Sequence, residues 1–257
     1  MKRFLTFVRF DETSKNIEKE IISSLCSNGF IYDDVNPEIV IVVGGDGTFL
    51  NAVHKIIDKI GEVIFYGIHT GTLGFFTDYK SDQLDEFLDD LLNKEAKIRE
   101  YQLLEVTLDN NERYYAVNEM RIENISRTQV MNILVDDNEF ETFRGTGMCV
   151  STQLGSTAYN RSLNGAVVQD GLPLIQMSEI AGIHHKEYRS LGVPIIMSEN
   201  SRITFESDNF DDAYLCVDAF NYKLDDIKKV NVVLGDKKVR LLRFKDVSYF
   251  KKLQSLF

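Results

Sequence analysis

The chain predicts an α/β layer followed by a β-rich region, and two observations carry that expectation. Over the first hundred residues strand-like and helix-like hydrophobic periods alternate. From about Lys97 the texture changes to short β-branched and aromatic runs set off by turn residues. The expected division is therefore 1–96 and 97–244, with no low-complexity linker and only three prolines, Pro37, Pro173 and Pro194.

Each element has its own warrant. Lys2 to Phe10 is β-rich. Ser14 to Asn28 puts Ile17, Ile21, Leu25 and Cys26 on one helical stripe, with Gly29 placed to end it. Glu38 to Val43 is an apolar, β-branched run of the kind buried on both faces of a parallel sheet. Thr48 to Ile60 forms a helix through Leu50, Val53, Ile57 and Ile60, and Glu62 to Ile68 is the next strand. Ser81 then caps a helix whose Leu84, Phe87, Leu88, Leu91 and Leu92 follow one face, with Asp82, Asp85 and Glu86 at its positive end. Beyond it Leu103 to Leu108, Arg113 to Arg121, Val130 to Val135, Phe140 to Phe143, Arg202 to Phe205, Ala213 to Val217, Val230 to Leu234 and Val239 to Phe244 read as strands. Asp136-Asp137-Asn138 is a hairpin turn, and Gly155 to Gly165 begins small and polar and continues as a helix.

Charge and composition narrow the function classes. Among 257 residues, 29 Lys+Arg against 40 Asp+Glu leave a net charge of -11, which repels phosphate backbones and disfavours non-specific nucleic-acid binding. Apolar runs such as Ile39 to Val43 are far shorter than the roughly 20 residues of a spanning helix, so no membrane segment is expected. Met1 to Phe10 reads as a first strand and not as a leader, so a cytoplasmic protein is expected. Cys26, Cys149 and Cys216 suit neither a disulfide framework nor a zinc spacing and are read as ordinary buried or half-buried thiols; His184-His185 lacks a third ligand at metal spacing.

Three segments carry chemistry. In Ile41-Val42-Val43-Gly44-Gly45-Asp46-Gly47-Thr48 a buried strand runs into a glycine turn and a helix. Backbone N–H groups there point outward, and glycine lets phosphate oxygens approach without a Cβ. Asp46 would repel those oxygens unless it meets a hydroxyl or a magnesium-linked water beside the transferred phosphate; the alternative is a helix cap. The Gly-x-x-x-x-Gly-Lys-Ser/Thr pattern is absent, so a P-loop is not supported. A second cluster, Gly67 to Phe75, follows the next strand and contains His69, a candidate phosphate contact or a structural histidine. In Asn118-Glu119 an amide can read an adenine edge and a carboxylate can accept from both ribose hydroxyls, although the dipeptide equally suits an exposed strand end. Arg144 to Ser162 joins a glycine turn to a strand and to a helix start that offers free N–H donors, hydroxyls and the ring of Tyr159; a well-capped helix is the other reading.

Taken in order, Gly44-Gly45-Asp46-Gly47-Thr48, Asn118-Glu119 and Gly155-Ser156-Thr157-Ala158-Tyr159-Asn160 with Ser162 and Gly165 resemble bacterial-type NAD kinases. The first motif is shared with diacylglycerol and sphingosine kinases; the three together are specific. The resemblance implies an amino-terminal Rossmann-like α/β domain and a carboxy-terminal β-sandwich-like domain, with the chain end 245–257 returning to the first. It implies transfer of a phosphoryl group from ATP or polyphosphate, assisted by a divalent metal such as magnesium, to the 2′-hydroxyl of the adenosine ribose of NAD. On that likeness Asp46 is the proton acceptor, and Gly44, Gly45, Gly47, Thr48 and His69 line the first part of the site. Asn118 and Glu119 hold the adenosine; Arg144, Thr146, Thr157, Ala158, Tyr159, Asn160, Arg161, Ser162, Ala181 and Ala219 bind the rest of the dinucleotide. No residue is assigned to a protein metal site. The family implies a homodimer or homotetramer in which a neighbouring subunit completes the NAD site.

Three departures accompany the likeness. Gly145-Thr146-Gly147 stands where the family usually has Gly-Asp-Gly, Thr152-Gln153-Leu154-Gly155 replaces Thr-Pro-Thr-Gly, and Asp218-Ala219 replaces Asp-His. They lie around binding and predict altered affinity or dinucleotide selectivity. Two rival readings follow: a non-catalytic NAD/NADP sensor, from the changes at Thr146 and Ala219, and a lipid kinase, which the acidity and the lack of a basic amphipathic helix oppose.

Overall fold

The computed structural model describes residues 2–71, 74–184, 188–245 and 248–254. The chain divides into two compact units, Met1–Tyr101 with Lys237–Phe257, and Gln102–Asp236.

In the first unit β1 (Arg3–Val8), β2 (Ile31–Tyr32), β3 (Ile39–Val43) and β4 (Ile64–His69) form a parallel sheet in the order β2-β1-β3-β4. Short β5 (Tyr79–Lys80) and the end of the strand Lys229–Arg243, with Leu241 opposite Phe65, extend it beside β4. All five residues of β3 are buried, as a strand covered on both faces requires. Each such aliphatic side chain contributes about 1.5–3 kcal/mol. Helix α1 (Glu12–Ser27) starts where Asp11 accepts the Ser14 N–H at 2.9 Å and ends before Gly29, at φ +82. Its buried face is Ser14, Ile17, Ile21 and Leu25; Cys26 lies off that stripe and is exposed, a correction to the expected one.

Helix α2 (Asp46–Lys55) begins two residues before the expected Thr48 and gives way to a 3₁₀ turn, Ile57–Lys59. Ile56 leaves the helical region there (φ -112, ψ 13), so Phe49, Ala52, Val53, Ile56 and Ile60 are buried and Leu50 and Ile57 are only half-buried. Helix α3 (Leu84–Asn93) follows another 3₁₀ turn, Ser81–Gln83. Ser81 does not cap it; instead Gln83 Oε1 accepts the Lys80 N–H at 3.1 Å. Ile17, Ile21, Leu25, Ile41, Tyr66, Phe87 and Leu91 share one core over one face of the sheet. Phe49 of α2 meets Phe65, with ring centroids 5.4 Å apart.

The second unit has two antiparallel sheets around one core. Its strands are β6 (Lys97–Leu108), which enters from the first unit, β7 (Arg113–Ala116), β8 (Glu119–Asn124), β9 (Gln129–Val135), β10 (Asn138–Gly145), β11 (Gly147–Thr152) and β12 (Leu174–Ile180). Then come β13 (Ile195–Ser198), β14 (Ile203–Glu206), β15 (Ala213–Val217), β16 (Phe220–Lys223) and β17 (Lys229–Arg243), which leaves for the first unit. One sheet runs β10-β9-β14-β17, with β6 beside β17 and β7 beside β6; the other runs β13-β12-β11-β8-β15-β16. Leu104, Val106, Met120, Ile122, Ile133, Phe143, Val150, Phe205 and Val232 meet between them. Asp136 and Asp137, at φ +51 and +64, turn β9 into β10, a conformation that short polar side chains tolerate.

Three expected runs are revised. Arg113 to Arg121 is not one strand: it breaks at Val117-Asn118, so β7 and β8 belong to different sheets. Val230 to Leu234 and Val239 to Phe244 are one continuous strand, in which the Gly235 carbonyl accepts from the Gln102 side chain at 3.4 Å. The strands β12, β13 and β16 were not among those expected from the sequence.

Candidate functional site

The candidate residues fall in both units, and each group is built by its own unit. In the first, the Gly44 N–H donates to the Ile68 carbonyl at 2.9 Å, tying the end of β3 to the end of β4. Gly45 precedes α2 and caps it without any side-chain acceptor; the Thr48 and Phe49 N–H groups return to its carbonyl at 3.0 and 3.1 Å. A Cβ on Gly45 or on Gly47 would meet no atom within 4 Å, so the chain's own packing does not demand glycine at either position. Asp46 is the first residue of α2 and not its cap. Its carboxylate accepts the N–H of Phe75 at 3.1 Å and of Phe76 at 3.3 Å. Gly74 is required by that approach, because a Cβ there would overlap the Asp46 carboxylate.

The second glycine cluster thus serves to hold Asp46; its Thr72 and Leu73 lie outside the described residues. Phe76 stacks on Phe49 at 4.3 Å between centroids, which anchors the same loop to α2. His69 is buried, with Nδ1 2.8 Å from the Gly71 carbonyl and no protein partner at Nε2. A proton assigned to Nδ1 by that carbonyl leaves Nε2 an acceptor, which suits a hydroxyl better than a phosphate.

In the second unit Asn118 stands at the corner between β7 and β8. Asp218, at the end of β15, makes that corner: its carboxylate accepts the N–H groups of Val117, Asn118 and Glu119 at 2.9, 2.8 and 3.3 Å. Thr152 latches the other side, donating its hydroxyl to the Val117 carbonyl at 2.7 Å and its N–H to the Asn118 carbonyl at 2.9 Å. A Cβ at Gly155 would overlap the Asn118 carbonyl, so this motif glycine serves close backbone approach. Glu119 is 6% exposed and its Oε2 has no protein partner. Burial, and then the Asp218 carboxylate, push its pKa up to about 7 against the pull of Arg121.

Leu154–Thr157 is a 3₁₀ turn and Tyr159–Ser162 a single helical turn, α4. The Tyr159 ring lies under the Arg121 guanidinium at 4.0 Å, and Arg121 pairs with Glu123 at 2.6 Å. Thr157 and Ala158 are half-buried and Arg161 and Ser162 exposed. Asn160 is fully buried, its Oδ1 accepting from Ser178 at 3.0 Å. Of the departures, Gln153 accepts the Gly171 N–H at 3.2 Å and Ala219 is exposed.

The structure gathers Asn118, Glu119 and the 157–162 stretch at one end of β11, but not Arg144, Thr146 and Ala181. Those three sit at the other end, where the Thr146 N–H donates to the Ile180 carbonyl at 3.0 Å and Arg144 lies 5.1 Å from the Tyr188 ring. The six residues of β11 span roughly 20 Å between the groups. Ala181 is exposed at φ +48. His184, beside the expected pair partner His185 that lies outside the described residues, is 3.9 Å from Glu179.

Sequence reasoning missed two buried charged groups. Asp218 entered only as the neighbour of Ala219, and its signal was weak: an acid closing a strand. Lys252 gave no signal, since a lysine in a short amphipathic tail looks like surface. Among the described residues no three His, Cys, Asp or Glu side chains cluster as a metal cage, and no helix is long and apolar enough to cross a membrane.

Comparisons with known proteins agree over both units. Residues 12–96 match the family model of the ATP-NAD kinase N-terminal domain, and residues 111–244 that of the ATP-NAD kinase C-terminal domain. The chain is 36% identical over 253 residues to the NAD kinase of Pediococcus pentosaceus, covering 96% of this chain and 94% of that protein. It is 38% identical over 252 residues to the NAD kinase of Leuconostoc mesenteroides, with 96% and 94% covered, and 32% identical over 260 residues to NAD kinase 1 of Listeria monocytogenes, with 99% and 98% covered. Its fold is that of yeast NADH kinase complexed with NADH (TM-score 0.86, 19% identity, 100% of this chain and 87% of that one). It is also that of an Archaeoglobus fulgidus NAD kinase in complex with ATP (TM-score 0.76, 20% identity, 99% of both).

Proposed function

The chain belongs to the ATP-NAD kinase family and is an NAD kinase, and we propose that Asp46 accepts the proton of the ribose 2′-hydroxyl as that oxygen takes the phosphoryl group from ATP. The observation that carries this is the setting of Asp46. It opens a helix between two glycines whose missing side chains nothing in the chain requires, and two backbone N–H groups aim its carboxylate. The freedom at Gly45 and Gly47 suits a polyphosphate drawn to the positive end of α2. Phosphoryl transfer through a loose transition state asks mainly for alignment and charge neutralisation, so one placed carboxylate is sufficient protein chemistry.

Asn118 and Glu119 bind the adenosine. The free Oε2 of Glu119 is an acceptor for ribose hydroxyls, and Thr157 to Ser162 line the dinucleotide. A divalent ion such as magnesium, commonly held by few carboxylates, water and substrate phosphates, would supply charge neutralisation for the transferred phosphoryl group. The separation of Thr146 and Ala181 from Asn118 supports a homo-oligomer in which a neighbouring copy completes the NAD site. A cytoplasmic location fits the absence, among the described residues, of a membrane-length apolar helix.

Asp46→Asn tests the central role. The variant folds and binds NAD, and its turnover with ATP and magnesium falls roughly 10²- to 10⁴-fold, the scale of acid–base assistance. Turnover near that of the parent protein would remove Asp46 from the role.

A further inference from the structure

The C-terminal helix Tyr249–Gln254 carries a lysine that is 5% exposed. Lys252 Nζ donates to the carbonyls of Phe75 and Thr77 at 3.0 and 3.1 Å and to Asp78 Oδ1 at 2.7 Å. Arg243, from the end of β17, donates to the same Asp78 oxygen at 2.6 Å and to the same Phe75 carbonyl at 3.0 Å. A second contact, the Tyr249 ring 5.9 Å from that of Phe75, fixes the helix to this loop. The carbonyl of Phe75 and the N–H of Phe76 are two ends of one peptide group. Two cations therefore grip one end of the plane whose other end donates to Asp46. Hydrogen bonds in such a chain polarise and strengthen one another.

We propose that Lys252 is a positioning residue for the kinase reaction: through the Phe75–Phe76 peptide it fixes the orientation of the Asp46 carboxylate. The geometry explains why a short tail buries an ammonium, which is otherwise costly. A surface anchor could be apolar, whereas a group that must orient a peptide dipole needs a charge. The groups facing Lys252 are Arg243 from β17, Asp78 from the loop and Asp46 from α2. Burial first, and then Arg243, lower its pKa to about 8, while Asp78 and, more weakly, Asp46 favour its charged form. A lowered lysine pKa means that the ammonium is complete well below pH 8 and is lost as pH rises through it. Asp78 stays ionised throughout: burial opposes its charge, but Arg243 and Lys252 outweigh that and hold its pKa below the usual carboxylate value.

The inference rests on Asp46 acting as proton acceptor. The experiment compares kcat, KM for NAD and the pH profile of kcat for the full-length protein, Lys252→Met and Lys252→Arg, with Asp46→Asn alongside. The expected result for the parent protein is a kcat that declines as pH rises through about 8, with loss of the Lys252 charge. Lys252→Met lowers kcat roughly 10- to 100-fold, the scale of a small misplacement, leaves KM within about twofold, and loses the alkaline decline. Lys252→Arg, charged at every accessible pH, keeps more of kcat than the Met variant and shows no decline near pH 8. If Lys252→Met does not fold by circular dichroism, the arginine variant decides alone. A Met variant with parental kcat and profile, or an Arg variant whose decline stays near pH 8, overturns the proposal while a dead Asp46→Asn leaves Asp46 in place. An active Asp46→Asn overturns the proton-acceptor reading itself, whatever Lys252 does.

Discussion

Glu119 shows how an environment, more than a residue type, sets the charge of a carboxyl group. Its carboxyl is buried beside Asp218, and its pKa of about 7 leaves it partly protonated at neutral pH. In the proposed role Glu119 accepts from both ribose hydroxyls, which the ionised form with two accepting oxygens does best, so dinucleotide binding would draw off a proton wherever Glu119 holds one. NAD affinity is therefore expected to rise as pH increases toward about 7, by up to about 10-fold per unit below it, and to level off above. Titration calorimetry across this range checks it, and Glu119→Gln should give a flat dependence. At this scale the proposed roles of Asp46, Asn118 and Glu119 are legible as motifs in the sequence, because motif glycines and acids carry their chemistry in one or two positions. It left Lys252 unseen, since nothing in Lys251-Lys252 distinguishes a surface lysine from a buried one.

At the scale of elements, the corner between β7 and β8 depends on a carboxylate about a hundred residues away in the chain. Three N–H groups converge on Asp218, and an amide in its place can offer only one accepting oxygen. Asp218→Asn should leave at least one buried N–H facing a donor, at a cost of about 1–3 kcal/mol, and displace Asn118 and Glu119. The expected result is a lower urea midpoint together with a higher KM for NAD; an unchanged KM would detach Asp218 from the binding site. The same corner explains why Arg113 to Arg121 looked like one strand. Its residue types favour extended backbone throughout, and the break comes from a side chain that no local window contains. The hairpin at Asp136-Asp137 was legible for the opposite reason, as its turn chemistry is local.

For the whole molecule, the family match over 12–96 and 111–244 spans both units, each with its own core. Binding and chemistry should separate in unfolding experiments. NAD at 100 times its Kd should add about 2.7 kcal/mol of stability, equally in the parent protein and in Asp46→Asn, whereas Glu119→Ala should lose most of that gain. A diminished shift in Asp46→Asn would mean that Asp46 contributes to ground-state binding. The amino-acid order by itself determined the alternation of strands and helices, the buried β3, the glycine turn and the family, because hydrophobic period and motif spacing are properties of neighbouring residues. Tertiary structure alone decided what holds those motifs in place: Gly74 and the Phe75–Phe76 peptide against Asp46, Lys252 and Arg243 behind that peptide, and Asp218 beneath Asn118. These contacts join residues far apart in the chain, and a buried charge is recognisable only once the groups that desolvate and pair it are known.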